Sequence, residues 1–364
     1  MPFPFSCDEL FLLLSHVMNY FCLSNEQISV QILKNISAFS YKELEIATNG
    51  FCISNKIGEG GFGSVYKGRL QDGTLVAVKV LSMESKQGEK EFLSEVASRA
   101  NVCHENLVKL HGGCIDGPSR ILVYDYMQKN SLSQTFLAKF SWTARREIAL
   151  GVARGLAYIH EGIKPHIVHR DIKPSNILLD KNLNAKISDF DLSKLFHENA
   201  THVSTQVAGT LGYLAPDYAA SGHLNPKSDV YSFGVLLLQI VTGERAVQFH
   251  PELGEYYLVE KAWGMYKSKE LLHLVDPLLS GRFNKNEAIR LLKVGLLCVQ
   301  EKSNLRPLMS TVTKIMNDEI DIHEVEISQP GLLTNIMDVK VGQQRSSQSN
   351  SRIRKWSSQQ LYTL

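Results

Sequence analysis

The sequence predicts an α+β protein of two lobes, a small antiparallel β-sheet lobe followed by a larger helical one. Three observations carry that expectation. Short β-like runs punctuated by glycine crowd the stretch from Asn55 to Met127, and beyond Asn130 the helical period dominates. The segment "SDVYSFGVLLLQIVTG" (228–243) is apolar nearly all round, as a helix in the middle of a lobe has to be. A chain of 364 residues can bury one large core or two smaller lobes.

The leader, residues 1–38, contains the apolar run "ELFLLLSHVMNYFCL" (9–23), interrupted by His16 and Asn19. A membrane span needs roughly 20 apolar residues, and a signal peptide needs a basic start that is missing here. The run therefore reads as a packed helix or a poorly ordered leader. Pro2 stands where N-myristoylation needs glycine. Residues 39–50 form a short helix: Ser40 and Glu43 have capping-box spacing, Leu44 and Ala47 give an apolar face, and Asn49-Gly50 stops it. The small lobe spans 51–127. In it "NKIGEGGFGSVYKGRL" and "TLVAVKVL" flank a turn at Asp72-Gly73, and "NLVKLHGGCI" and "RILVYDYM" give two more strands. Between them, 86–100 is helical, with Phe92, Val96 and Ala100 on one face and Glu95 beside them. The larger lobe spans 128–322, with helices at "ARREIALGVARGLAYIH", around 258–267 and around 288–300. A polar, Ser-rich tail covers 323–364, and from about Gln329 its composition reads as disordered. No internal repeat is present.

A formal charge of +2 gives no reason to expect nucleic acid or an anionic membrane as partner. Six cysteines lie far apart with no C-x-x-C pair, the pattern of reduced thiols and not of a disulfide framework or zinc site.

The chemistry lies in three motifs. Gly58, Gly60 and Gly63 give G-x-G-x-x-G, weak alone, but they sit between two strands with no helix opening after them. That context excludes a dinucleotide-dependent oxidoreductase, which needs strand, turn and helix. It suits a hairpin whose backbone N–H groups approach phosphates with no Cβ in the way. Lys79 in "VAVKV" falls in a strand, where a buried lysine needs a carboxylate, and Glu95 on the next helix is the natural partner. In "IVHRDIKPSNILL", Asp171 can accept a proton from a hydroxyl nucleophile and Lys173 can steady a transferring phosphate. Asn176 and Asp189 offer the hard oxygen ligands that Mg²⁺ prefers.

These motifs, in this order, resemble those of the protein kinase superfamily. "FSYKELEIATNGF", "HENLVKLHGGCI", "VHRDIKPSNILLD", "VAGTLGYLAP" and "ISQPGLLTNIMDVKV" narrow the resemblance to plant receptor-like cytoplasmic serine/threonine kinases of the cold-responsive type, over about 39–341. The resemblance implies a bilobal kinase fold, ATP with Mg²⁺ or Mn²⁺, protein substrates, an upstream receptor kinase as partner, a monomer and a cytoplasmic place, with peripheral association at the plasma membrane left open. By the same resemblance Ile57, Gly58, Glu59, Gly60, Gly61, Phe62, Gly63, Ser64 and Val65 cover the ATP phosphates. Val65 and Ala77 lie on one adenine face and Leu178 on the other. Tyr124 is the gatekeeper beside the hinge Asp125-Tyr126-Met127. Thr210 positions the substrate hydroxyl. Arg170 implies control by phosphorylation of the activation loop, at Ser204 or Thr205. Asp217, Arg306 and Asp229 are structural.

Three departures stand out. Asp191 replaces the glycine expected after Asp189-Phe190, a position where glycine permits backbone angles that other residues resist. Asp217 stands where relatives carry Glu, as partner of Arg306. The connection "FLAKFSW" (136–142) is shorter than in relatives by about ten residues, a change exposed loops tolerate. With Lys79, Glu95, Asp171, Lys173, Asn176 and Asp189 all present, the expectation is an active enzyme slowed or conditionally controlled by Asp191. The rival expectation is an ATP-binding pseudokinase or scaffold.

Overall fold

Six strands build the sheet of the small lobe: β1 (Ser37–Ala38), β2 (Lys56–Gly60), β3 (Gly63–Arg69), β4 (Leu75–Leu81), β5 (Leu110–Asp116) and β6 (Ser119–Asp125), in spatial order β1-β5-β6-β4-β3-β2. Every pairing is antiparallel except β1 with β5. The computed structural model describes residues 37–333, apart from 61–62, 82–91, 93, 97, 100–101, 136–138, 197–199, 251–253 and 323–324. The apolar leader and the Ser-rich end of the tail lie outside the described residues.

Alternation along β4 decides what the sheet carries on each face. Val76 and Val78 join Phe39, Leu44, Cys114, Ile121 and Val123 in a core beneath helix α1 (Tyr41–Ala47). That helix starts as its spacing predicts, with the Ser40 side chain accepting from the Glu43 amide at 3.2 Å. Leu81, two residues on from Lys79, joins Phe92, Val96, Leu110 and Leu122 in a second core on the opposite face. Lys79 therefore projects on the side where the helical residues Phe92, Glu95 and Val96 pack. β1 went unread in the sequence because two residues are too short to show a period.

The larger lobe holds α2 (Trp142–Ala157), α3 (Pro216–Ser221), α4 (Pro226–Thr242), α5 (Leu258–Lys267), α6 (Lys285–Cys298) and α7 (Met309–Met316). Helix α4 is buried on all sides, as its composition requires. Asn225 caps its start and Gly243, at φ 72°, ends it. Two short ladders, β7 (His166–Val168) with β10 (Lys194–Phe196) and β8 (Ile177–Leu179) with β9 (Ala185–Ile187), set the loops between the lobes. A buried Arg145–Asp276 pair at 2.5 Å ties α2 to the loop that follows α5.

The described part of the tail, 325–333, is packed where the composition from about Gln329 reads as disordered. Ile327, Pro330, Gly331 and Leu333 are buried. Ser328 donates twice to the Gln300 side chain, at 2.8 and 2.7 Å, and the Gly331 amide donates to Val299 at 3.0 Å. Tyr231 of α4 donates to the Gly331 carbonyl at 2.8 Å. The apolar "PGLL" embeds while its backbone is satisfied, so averaging it with the polar residues that follow hid a packed strap. Among the described residues no helix is long and apolar enough to cross a membrane, and Cys52, Cys103, Cys114 and Cys298 are unpaired.

Candidate active site

The glycine-rich hairpin is β2 and β3, with Gly58 opposite Val65, Glu59 opposite Ser64 and Gly60 opposite Gly63. Gly61 and Phe62 lie outside the described residues. At Gly63 (φ 131°) a Cβ would lie 2.0 Å from the Val80 carbonyl oxygen, so β4 itself demands glycine there. At Gly60 a Cβ would meet nothing within 4 Å, and at Gly58 only Val65 at 3.8 Å. Packing does not explain those two glycines, and both leave open room beside the backbone. Ile57 is exposed, and Glu59 pairs with Lys56 at 2.8 Å. Ala77 is opposite Lys67 in β3 and Tyr124 in β6, and Leu178 comes from β8. Asp125 is held by His111 at 2.6 Å, and Met127 is buried.

Lys79 does not pair with Glu95. Its Nζ donates to both oxygens of Asp191, at 2.8 and 2.7 Å, and to Asp189 Oδ1 at 3.0 Å. Glu95, 1% exposed, instead accepts from the Tyr124 hydroxyl and from the Phe190 amide, the latter at 2.7 Å. The expectation of a carboxylate partner holds, but the extra carboxylate of Asp191 has taken the place assigned to Glu95. Burial alone would lower the Lys79 pKa; the charges of Asp189, Asp191 and Glu95 outweigh it and hold the ammonium well above its usual range. Burial and the repulsion of Asp189 and Glu95 push Asp191 well up, with Lys79 opposing. Asp189 is lowered, because Lys79 outweighs its burial. The backbone cost expected at Asp191 is also absent: Asp189 has positive φ (64°), and Asp191 does not.

The loop after β7 gathers the groups suited to a hydroxyl nucleophile. Thr210 Oγ1 donates to Asp171 Oδ1 at 2.6 Å and accepts from Lys173 at 2.9 Å, while Lys173 lies 2.8 Å from Asp171 Oδ2. Asn176 Nδ2 donates to the Asp171 carbonyl at 2.8 Å and to its carboxylate at 3.0 Å. That fixes the amide and leaves Asn176 Oδ1 with only a 3.4 Å contact from Ser175. Asn176 Oδ1 and the Asp189 carboxylate are hard oxygen donors of the kind Mg²⁺ takes, so the set fits a divalent ion.

Beneath the loop runs a buried column. Asp229 accepts from the His169 amide (2.7 Å), the Arg170 amide (2.8 Å) and His160 (2.8 Å). Its carboxyl is lowered because these partners outweigh its burial. The His169 ring stands edge-on to Phe190 at 4.6 Å, and the Arg99 guanidinium lies 4.3 Å from the centre of the Phe190 ring. Sequence reasoning missed Arg99 and the Tyr124–Glu95 bond. The signal for Arg99 was its position four residues after Glu95, one turn along the same helix face.

Arg170 is joined to the activation segment through backbone carbonyls and a tyrosine hydroxyl. It donates to the carbonyls of Leu192 (3.1 Å) and Gln206 (2.7 Å) and to the Tyr218 hydroxyl (2.8 Å). Ser204 is exposed, in a short antiparallel pair, Val203–Ser204 with His223–Leu224. Asp217 reaches Arg306 at 2.7 Å despite its missing methylene. Three carbonyls, of Gln300, Lys227 and Glu301, accept from three further Arg306 N–H groups.

Comparison with known proteins agrees with this geometry. The family model of the protein kinase domain matches residues 51–316. Cold-responsive protein kinase 1 of Arabidopsis thaliana is 52% identical over 320 residues, 86% of this chain and 82% of that protein. Two probable LRR receptor-like serine/threonine-protein kinases of the same plant are 46% and 48% identical over 298 and 301 residues. The chain spans only 29% of the length of each. A domain match over most of the chain, with half its residues shared by a plant relative of similar length, makes this protein a member of the protein kinase family, of the plant serine/threonine type.

Proposed function

We propose that the chain transfers the γ-phosphoryl group of ATP to serine or threonine hydroxyls of protein substrates in plant signalling, with Asp171 as the catalytic base. The observation that supports this most is the bonded set Asp171–Thr210–Lys173–Asn176. A substrate hydroxyl positioned beside Thr210 would have its proton within reach of Asp171 and its oxygen beside the Lys173 ammonium. As the new bond from that oxygen to the γ-phosphorus forms, the bond from phosphorus to the β,γ-bridging oxygen breaks. The hydroxyl proton passes to Asp171, and ADP leaves. The chain's contribution is positioning and charge: Lys173 and Lys79 offset phosphate charge, and Asn176 keeps Asp171 oriented. Asn176 and Asp189 would hold Mg²⁺ or Mn²⁺, which supplies further neutralisation of the phosphate oxygens. Residues 57–65 would cover the phosphates, and Val65, Ala77, Leu178 and the Asp125–Met127 hinge beside Tyr124 would take adenine. The lobes would divide at Met127.

Regulation by phosphorylation at Ser204 or Thr205 is part of the same reading. It is supported by the Arg170 guanidinium touching the carbonyl of Gln206, the residue after Thr205, and by an Arg170 Nε without a hydrogen-bond partner among the described residues. An upstream receptor kinase would supply that phosphate, and the chain would act as a cytoplasmic monomer.

The test is label transfer from γ-labelled ATP to the protein and to a generic basic substrate, with magnesium and then manganese. Wild type labels both, and Asp171→Asn loses at least a hundredfold. The engagement of Lys79 by Asp191 favours a second reading, an ATP-binding scaffold; nucleotide binding with no transfer under either metal would establish it.

A further inference from the structure

We infer that Asp191, and not Glu95, is the residue that positions Lys79, and that Glu95 is released to hold Tyr124 and the Phe190 amide. This rests on reading the chain as a working kinase, in which a strand lysine is ordinarily held by the helix glutamate. The observed bonds pair off without overlap. A lysine ammonium has three N–H groups. Two go to Asp191, at 2.8 and 2.7 Å, and one to Asp189, at 3.0 Å. Glu95 has two oxygens: Oε2 accepts from Tyr124 and Oε1 from the Phe190 amide.

The three carboxylates are close enough for the lysine to have chosen otherwise, since oxygens of Glu95, Asp189 and Asp191 lie within 4.8 Å of one another. Two features decide the choice. The Asp191 side chain is 2% exposed and its backbone has no positive φ, so it occupies the glycine's position with its carboxylate inward and no left-handed strain. Glu95, for its part, is the acceptor of a buried backbone amide, which would be left unsatisfied if the glutamate swung to Lys79. The lysine is thereby tied to the segment 189–191 instead of to the helix. A movement of that helix leaves Lys79 in place, while a movement of the segment carries it away. Asp191 acts through Lys79, as a positioning residue.

The experiment compares wild type, Glu95→Gln, Asp191→Gly, Asp191→Asn and the double variant Glu95→Gln/Asp191→Gly. The Lys79 ε-methylene resonance is followed in lysine-labelled protein and assigned with Lys79→Arg, and kcat/KM for ATP is measured alongside. The Lys79 resonance moves in Asp191→Gly and in the shape-conserving Asp191→Asn, and stays in Glu95→Gln. Glu95→Gln lowers kcat/KM at least tenfold more in the Asp191→Gly background than in wild type, because glycine returns the lysine to Glu95; tenfold is about 1.4 kcal/mol of coupling. A resonance that moves with Glu95→Gln and not with Asp191→Asn overturns the inference, as does an equal cost of Glu95→Gln in both backgrounds. Should wild type transfer no phosphate, the kinase reading fails, and the resonance still decides which carboxylate holds Lys79.

Discussion

Arg99 is 3% exposed, and its Nη1 has no hydrogen-bond partner among the described residues. Burial lowers its pKa, with Glu95 pulling the other way. An unsatisfied buried donor costs about 1–3 kcal/mol, and a cation over an aromatic face returns about 0.5–2 kcal/mol. At the midpoints, about 2 against about 1.2 kcal/mol, the cost is the larger, so Arg99→Met, which keeps the volume and drops the donor, should stabilise by about 1 kcal/mol. Thermal unfolding should register this as a rise of about 2 °C; a fall would mean that the guanidinium holds Glu95 more firmly than its contacts suggest. The same scale marks how far the site was legible. That Lys79 needs a carboxylate follows from burying a charge in a strand, and this can be read one residue at a time. Which carboxylate takes it cannot: Asp191 is 112 positions away and Glu95 only 16, and tertiary geometry chose the distant one. Asp171 and Lys173 share one short motif, and only the resemblance pointed to Thr210, on the segment that meets it.

Elements were read well where a single helix or strand carries its own period, and poorly where two of them must fit. The apolar circumference of α4 announces its place in the core but not its neighbour. The neighbour is α6, and the two approach at a pair of glycines. A Cβ on Gly234 would lie 2.7 Å from Cys298 Cβ and 2.8 Å from the Gly295 carbonyl oxygen, and one on Gly295 would lie 2.8 Å from Leu238. The Gly295 carbonyl is backbone, so the helices have to separate to admit a methyl group on Gly234. Gly234→Ala should therefore cost about 1–3 kcal/mol by overpacking, against the helix propensity that alanine would otherwise add. Denaturant unfolding of the single variant measures it; a neutral or stabilising result would mean that the α4–α6 contact yields easily.

Seen as a whole, the folded chain is longer than the domain that identifies it. The family match stops at residue 316, yet packing continues to Leu333, and β1 adds a strand ahead of residue 51. Composition hid the strap, because a few apolar residues precede a long polar run. Leu332 and Leu333 line a small cavity with Gly212 and Leu214 of the activation segment and Tyr231 of α4. Burying a side chain of this size contributes about 1.5–3 kcal/mol. Ending the chain after Ile322 removes Ile327 and Leu333 together and should lower stability by about 3–6 kcal/mol, seen as an earlier thermal transition; an unchanged transition would show that the strap only rests on the surface. The strap also bears on how variants of the gene are judged. A stop codon just past residue 322 spares the glycine hairpin, Lys79, Asp171, Asn176 and Asp189, and would pass any inspection for intact motifs. It would nonetheless act as a loss-of-stability allele, its product depleted by cellular quality control with every catalytic group in place.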